Sequence, residues 1–183
     1  MSAPSSTTIA DRIHQAEELK KEGNELFQKG KYRKARIKYS TVFAYIKGLS
    51  ADSEGMAQYA SALHLDRPTA PEEQTIRALT ISCISNIALC YFKLREFEKS
   101  IDYSNRTLAM DPEHVKSLYR KGAALSRLER DLETARDSLV LAIDLDSVNT
   151  GAATKELNHV RRKLRHREAE SQERLAQALR GAL

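Results

Sequence analysis

The stretch ISNIALCYFKLREFEKSIDYSNRTLAMDP, residues 84–112, and the stretch LYRKGAALSRLERDLETARDSLVLAIDLDS, residues 118–147, decide the fold between them. Placing Asn86 over Arg120 aligns the two at an offset of 120 − 86 = 34 residues. Each holds a helix-length apolar pattern, a short turn and a second such pattern, so the unit is a helix pair. The same template fits the start of the chain. Gly23 takes the small-residue position held by Ala88 and Gly122, Tyr32 matches Phe97, and Ala35 matches Ser100. Small residues belong where two helices of a pair cross, because a larger side chain would hold them apart. Three helix pairs are therefore expected.

Composition agrees with an all-α fold. The 183 residues carry 30 Lys+Arg against 25 Asp+Glu, a formal net charge of +5, with 41% hydrophobic residues and few breakers, 7 Gly and 4 Pro. That is globular composition, neither disordered nor membrane-like. Gly30, Gly48, Pro68, Pro71, Pro112 and Gly151 fall between stretches of helical length and punctuate seven helices. These run from about Ile9 to Gln28, from Tyr32 to Ile46, from Pro71 to Leu94, from Glu96 to Met110, from Pro112 to Leu128, from Asp131 to Leu145, and from Ala152 to Leu179. Pro71 and Pro112 read as first-turn prolines, with Asp111 as a cap. Residues 1–8 read as a flexible tail.

No membrane insertion is expected, because the longest mid-chain stretch without Asp, Glu, Lys or Arg runs only from Ala78 to Phe92. The first ten residues lack a basic n-region and an apolar core, so a secretory signal is not expected and the compartment reads as cytoplasmic. Cys83 and Cys90 lie roughly 10 Å apart on a helix, beyond disulfide reach, and read as buried thiols.

A 34-residue helix-pair period is that of the tetratricopeptide repeat (TPR), and the chain resembles that family over about residues 11–147. The resemblance implies three TPR helix-turn-helix repeats in a right-handed superhelix: repeat 1 about 9–48, repeat 2 about 71–111 and repeat 3 about 112–147, followed by a capping helix over 151–180. Two departures are visible. Lys21 and Asn86 are equivalent yet 86 − 21 = 65 residues apart, an excess of 65 − 34 = 31, placed in an insertion at about 49–70. Gly122 to Ala135 spans 13 residues against 12 for Gly23 to Ala35, one extra in the turn. The insertion mixes Ser, Asp, Gly and Pro with the apolar Met56, Tyr59, Ala60, Leu63 and Leu65, and reads either as a projecting connection or as an extension of the second helix. The inserted first repeat, the run KSLYRKGAA and the long charged final helix resemble the repeats of immunophilin-type cochaperones and of tetratricopeptide repeat protein 9-like proteins. The chain thus reads as a free-standing relative or as an excised domain.

Stacked pairs expose the first helix of each repeat to a groove that takes peptides. Lys20 and Asn24 share one helix face at i,i+4 spacing, as do Lys116 and Arg120, and Asn86 stands on the intervening repeat. In the family this set is the carboxylate clamp. The resemblance implies that Lys20, Asn24, Asn86 and Lys116 hold the terminal carboxylate and last Asp of the C-terminal acidic tail of heat shock protein 90 or 70, with Arg120 just upstream. A chain terminus ending in Asp presents two carboxylates, and several charge-assisted donors must converge to neutralise them. Using Asn among the cations avoids crowding like charges. Asn24 and Asn86 sit mid-helix, where Asn is a mediocre former. The blander alternatives are solvated cations and buried amides. Phe27 and Leu89 lie three residues beyond the two Asn and read equally as groove contacts or as core.

Five His form no metal pair, and no phosphate loop, nucleophile elbow or catalytic triad occurs, so neither enzymatic activity, metal nor cofactor is expected. The run Arg161, Arg162, Lys163, Arg165 and Arg167 raises nucleic-acid binding, but no aromatics interleave with it, and Leu157, Val160 and Leu164 give that helix a core-facing stripe. No nucleic acid is expected. The sequence points to a TPR adaptor that joins a chaperone tail to a client it does not identify; the alternative is a scaffold binding an internal peptide, or a partner of the basic C-terminal helix.

Overall fold

The computed structural model describes residues 8–47, 49, 67–148 and 150–181. Among these residues it contains seven helices and no strand: α1 (Ile9–Gln28), α2 (Tyr32–Ile46), α3 (Ala70–Lys93), α4 (Phe97–Met110), α5 (Val115–Leu128), α6 (Leu132–Leu145) and α7 (Gly151–Gly181). They form two compact units, one ending at Arg95 and the other beginning at Glu96. The expected insertion lies outside the described residues apart from Leu49 and residues 67–70, as do residues 1–7 of the tail.

Helix ends follow local chemistry. Thr8 and Asp11 form a capping box on α1, with the Asp11 amide donating to Thr8 Oγ1 at 3.1 Å and the Thr8 amide donating to Asp11 Oδ2 at 3.1 Å. Gly30, at φ +70°, ends α1: its N–H bonds Phe27 O at 2.9 Å while Lys31 N–H bonds Leu26 O at 2.9 Å, the paired bonds of a Schellman turn. The equivalent turn residues, 65 and then 34 positions on, are Arg95 at φ 62° and Glu129 at φ 52°. The same left-handed turn therefore recurs at the offsets read from the sequence, although only the first uses glycine.

Two helix starts differ from expectation. Pro71 stands second in α3 rather than first, because Thr69 and Glu72 form a capping box one residue earlier, with Thr69 N–H donating to Glu72 Oε2 at 2.7 Å. Pro112 does not open α5. Asp111, Pro112 and Glu113 form a turn closed by His114 N–H to Asp111 O at 3.2 Å, and His114 caps the helix through Nδ1, which accepts from Ser117 N–H at 3.3 Å.

In the first unit α1, α2 and α3 enclose Ala16, Ala35, Tyr39, Val42, Ile76, Leu79, Cys83 and Ile87. A Cβ on Gly23 would lie 2.6 Å from Tyr39 Cε1, so the missing side chain is what lets the ring lie against α1. Arg12 ties α1 to the end of α2 by donating to Tyr45 O at 2.8 Å and to Lys47 O at 3.2 Å. Helix α3, at 24 residues, is long and apolar enough to cross a membrane, which the shorter charge-free stretch in the sequence concealed. Its residues Ile76, Leu79, Cys83, Ile87, Ala88 and Cys90 are instead buried. Both cysteines are free thiols.

The second unit packs Leu125 of α5, Leu132, Ala135 and Leu139 of α6, and Ala153, Leu157 and Val160 of α7 into one core, with Leu164 against it. Gly122 is the crossing residue here: its Cβ would sit 2.6 Å from Leu139 Cγ and 2.9 Å from the Ala135 carbonyl oxygen. The apolar stripe of α7 covers α6 as its spacing implied. The basic run is divided in its work. Arg161, Arg162 and Arg165 are exposed, but Lys163 donates to Ser126 O at 2.9 Å and pairs with Glu129 at 2.8 Å, and Arg167 donates to Glu129 O at 2.5 Å. These two cations satisfy carbonyls at the C-terminal end of α5, where a helix favours positive charge. Arg127 pairs with the buried Glu156 at 2.6 Å. Burial pushes the Glu156 carboxyl up, but its hydrogen bonds and the Arg127 charge prevail and hold it below its ordinary value.

Candidate functional site

In the first unit, α1 presents Lys20 and Asn24 one turn apart and α3 presents Asn86. Asn24 is exposed and Asn86 half-buried. The structure brings the two amides together, Asn86 Nδ2 donating to Asn24 Oδ1 at 3.4 Å. A stronger bond reaches the same oxygen from beneath, where Tyr39 Oη donates at 2.8 Å. Burial, reinforced by the nearby Cys90 and Cys83, pushes the Tyr39 phenol far above its ordinary range, so it remains a donor. Lys20 is half-buried and sits close enough to Cys83 for its ammonium to oppose, without cancelling, the burial that pushes that thiol up to about 11. Lys20 has no acidic partner among the described residues, unlike Lys21 with Glu18 or Lys38 with Glu22.

In the second unit, Lys116 and Arg120 lie one turn apart on α5, Lys116 exposed and Arg120 only 6% exposed. Lys116 likewise has no acidic partner among the described residues. Burial holds the half-buried His114 imidazole below its usual range; Asp111 pulls the other way, and the charges of Arg120 and Lys116 add to the depression. The neutral ring is the form that caps α5, since a protonated Nδ1 could not accept the Ser117 N–H.

The two apolar candidates differ. Phe27 packs against Tyr32 with ring centroids 5.0 Å apart and the rings tilted by 56°, pinning the α1–α2 turn, so packing accounts for much of its position. Leu89 is half-buried on α3. Tyr39 was legible in the sequence as a core position only; the available signal was its hydroxyl, since a buried tyrosine needs a partner for it. His114 gave no signal beyond its place after Asp111-Pro112-Glu113. Among the described residues no three His, Cys, Asp or Glu side chains cluster as metal ligands. A shallow depression of about 470 Å³ lies on the first unit between Leu26 and Ile37, rimmed by Lys29, Lys34 and Lys38; none of Lys20, Asn24, Phe27, Asn86 and Leu89 lines it.

Helix pairs with a recurring left-handed turn and a small crossing residue make the chain an all-α TPR-type domain. No family model matches it. The peptidyl-prolyl cis-trans isomerase FKBP4 of Homo sapiens is 28% identical over 145 residues, covering 79% of this chain and 28% of that protein. The chain thus spans little more than a quarter of the length of the curated relatives it matches, 28% for the Mus musculus protein also. The C-terminal TPR-containing domain of a Plasmodium falciparum FK506-binding protein superposes with a TM-score of 0.71 at 25% identity, covering 88% of this chain and 96% of that one. The first TPR domain of Spaghetti (RPAP3), solved bound to the HSP90 peptide SRMEEVD, superposes with a TM-score of 0.61 at 23% identity, over 83% of this chain and 94% of its own. The chain is similar to the TPR domains of immunophilin-type and other cochaperones.

Proposed function

We propose that the chain is a cytoplasmic, non-enzymatic cochaperone adaptor that binds the acidic C-terminal peptide of heat shock protein 90 or 70, of the EEVD type, through a carboxylate clamp. The observation that carries the reading is the meeting of Asn24 and Asn86 beside Lys20 on the first unit, with the Asn24 amide exposed. In this reading Lys20, Asn24 and Asn86 on the first unit supply one ammonium and two neutral donors, and Lys116 and Arg120 on the second unit supply two cations. Lys116, exposed and without an acidic partner, meets carboxylate; Arg120, largely buried, presents its donors to oxygen further upstream. The peptide bound by the Spaghetti domain supports the choice of ligand. Phe27 and Leu89 would touch side chains upstream of the terminus.

A flexible tail must be ordered against a few ionic contacts, so the dissociation constant is expected to be roughly micromolar and to rise with salt. Titration calorimetry with SRMEEVD as free acid and as C-terminal amide is the test. Binding that collapses on amidation supports the clamp. Equal affinities would sink it and transfer the reading to an internal-peptide scaffold.

A further inference from the structure

The Tyr39 hydroxyl lies under Asn24 and donates to the oxygen of its side-chain amide. Tyr39 is 2% exposed, and its ring fills the gap that the missing Gly23 Cβ leaves. Among the described residues its hydroxyl has one partner, Asn24 Oδ1 at 2.8 Å. A buried phenol proton without an acceptor is costly, and among the described residues the acceptor it has is the Asn24 amide oxygen. Turning Asn24 over would place its NH₂ against the phenol and against Asn86 Nδ2, which also donates to Oδ1 at 3.4 Å. Two donors from two helices thus converge on one oxygen, and both Asn24 N–H groups are left pointing away from them. Asn24 Nδ2 has no partner among the described residues.

We infer that Tyr39 is a positioning residue that locks Asn24 with its carbonyl inward and its amine outward, so that Asn24 offers only hydrogen-bond donors to a ligand and selects an acceptor such as a carboxylate against a carboxamide. The inference rests on the carboxylate reading above for its ligand, but not for its geometry. An unlocked amide presents either end. It could accept from the N–H groups of a carboxamide as readily as it donates to a carboxylate, so the lock is a source of specificity and not merely of affinity.

Tyr39→Phe deletes the hydroxyl and keeps the ring against Gly23. Two measurements on the full chain separate the possibilities. The first needs no ligand: NMR relaxation of the Asn24 side-chain NH₂ should report a rigid amide in the wild type and a mobile one in Tyr39→Phe. An equally rigid Asn24 in the variant overturns the inference whether or not any peptide binds. The second is titration with SRMEEVD as free acid and as amide. Tyr39→Phe should weaken the acid about threefold to tenfold, the loss of one oriented hydrogen bond, and bring the acid-to-amide ratio toward one. In an Asn24→Ala background the same substitution should change neither. A ratio left intact, or an equal further loss in the Asn24→Ala background, shows that Tyr39 acts by packing alone and overturns the specificity claim. A wild type that binds neither peptide removes the proposed function, while the NMR result still decides whether Tyr39 sets the amide.

Discussion

At the helix crossing of the first repeat a glycine admits a tyrosine, and at the equivalent crossing of the third a glycine admits a leucine. Gly23 with Tyr39 and Gly122 with Leu139 solve the same packing problem, since an added Cβ would lie 2.6 Å from the facing side chain in both. Leu139 ends in the core beside Leu125, Leu157 and Val160. Tyr39 runs on through the core and delivers a hydroxyl to the surface at Asn24. One joint serves stability alone; the other also sets the chemistry of an exposed amide. A longer core side chain thus reaches a surface amide from an equivalent position in the repeat.

The largest expected effect breaks the joints themselves. Gly122→Ala must push against the Ala135 backbone oxygen at 2.9 Å as well as Leu139, and a backbone cannot retreat as a side chain does. It should destabilise by about 3 kcal/mol, the upper end for overpacking. Gly23→Ala meets the Tyr39 ring first, a side chain and not a backbone, and should cost about 2 kcal/mol. By displacing the hydroxyl from Asn24, however, it should also weaken peptide binding when both proteins are fully folded. Chemical denaturation paired with titration checks both. A Gly122→Ala protein as stable as wild type would show that the third repeat is looser than its geometry.

The proposed ligand contacts sharpen the comparison further. Lys116→Ala should lower SRMEEVD affinity tenfold or more, a loss of about 1.5 to 3 kcal/mol for a charge-assisted contact, and leave the melting temperature nearly unchanged because the side chain is exposed. Arg120→Ala should weaken binding similarly but also lower the melting temperature, because that residue is 6% exposed and packed. Calorimetry of binding and of unfolding on the same two variants tests the contrast. Identical behaviour would place the two cations in one environment.

Acid should act on the second unit through two groups. His114 is held below its unfolded value of 6.5, so the neutral cap contributes stability that is full above about pH 6.5 and is lost as pH falls from there through the folded value. Glu156 is held below 4.5, so its contribution persists to that pH and is lost only below it. Hydrogen exchange should show the start of α5 opening first in mild acid and the α7 contacts later. His114→Asn, a residue that caps without titrating in this range, should abolish the first phase and leave the second. A first phase that survives His114→Asn would assign it to another group.

How much of this was legible in the sequence depended on the range of the interactions. Helix bounds set by local signals, Gly30 above all, were readable to within a residue or two. The α5 start was not, because His114 displaced an Asp-Pro pair whose local chemistry looked sufficient. The Thr69-Glu72 capping box was present in the letters, but the proline beside it drew the boundary instead. The candidate site residues were readable one by one from repeat register, while the Asn24–Asn86 bond and the burial of Arg120 are tertiary facts. The same holds for the basic run of α7, which reads as a solvated face until Lys163 and Arg167 are seen to reach the end of α5. Lys163→Gln should accordingly cost about 1 kcal/mol through the lost bond to Ser126 O, and Arg161→Gln with Arg162→Gln should cost nothing measurable.

The smallest effect concerns the turns, where one backbone conformation carries three different residues. Gly30, Arg95 and Glu129 all have positive φ, and for Arg95 and Glu129 the Cβ makes that conformation unfavourable by roughly 1 to 2 kcal/mol. Replacing Arg95 by glycine relieves that strain. It also gives the unfolded chain more freedom, which opposes the gain by about 0.4 to 1 kcal/mol. The balance should be a stabilisation of about 0.5 kcal/mol, measurable as a small rise in the denaturation midpoint with an unchanged slope. Glu129→Gly removes the same strain but also the carboxylate that pairs with Lys163 at 2.8 Å, so it should gain less than Arg95→Gly or lose outright. If both substitutions stabilise equally, the Lys163–Glu129 pair contributes nothing to holding α7, and the Ser126 and Glu129 carbonyls alone account for the latch.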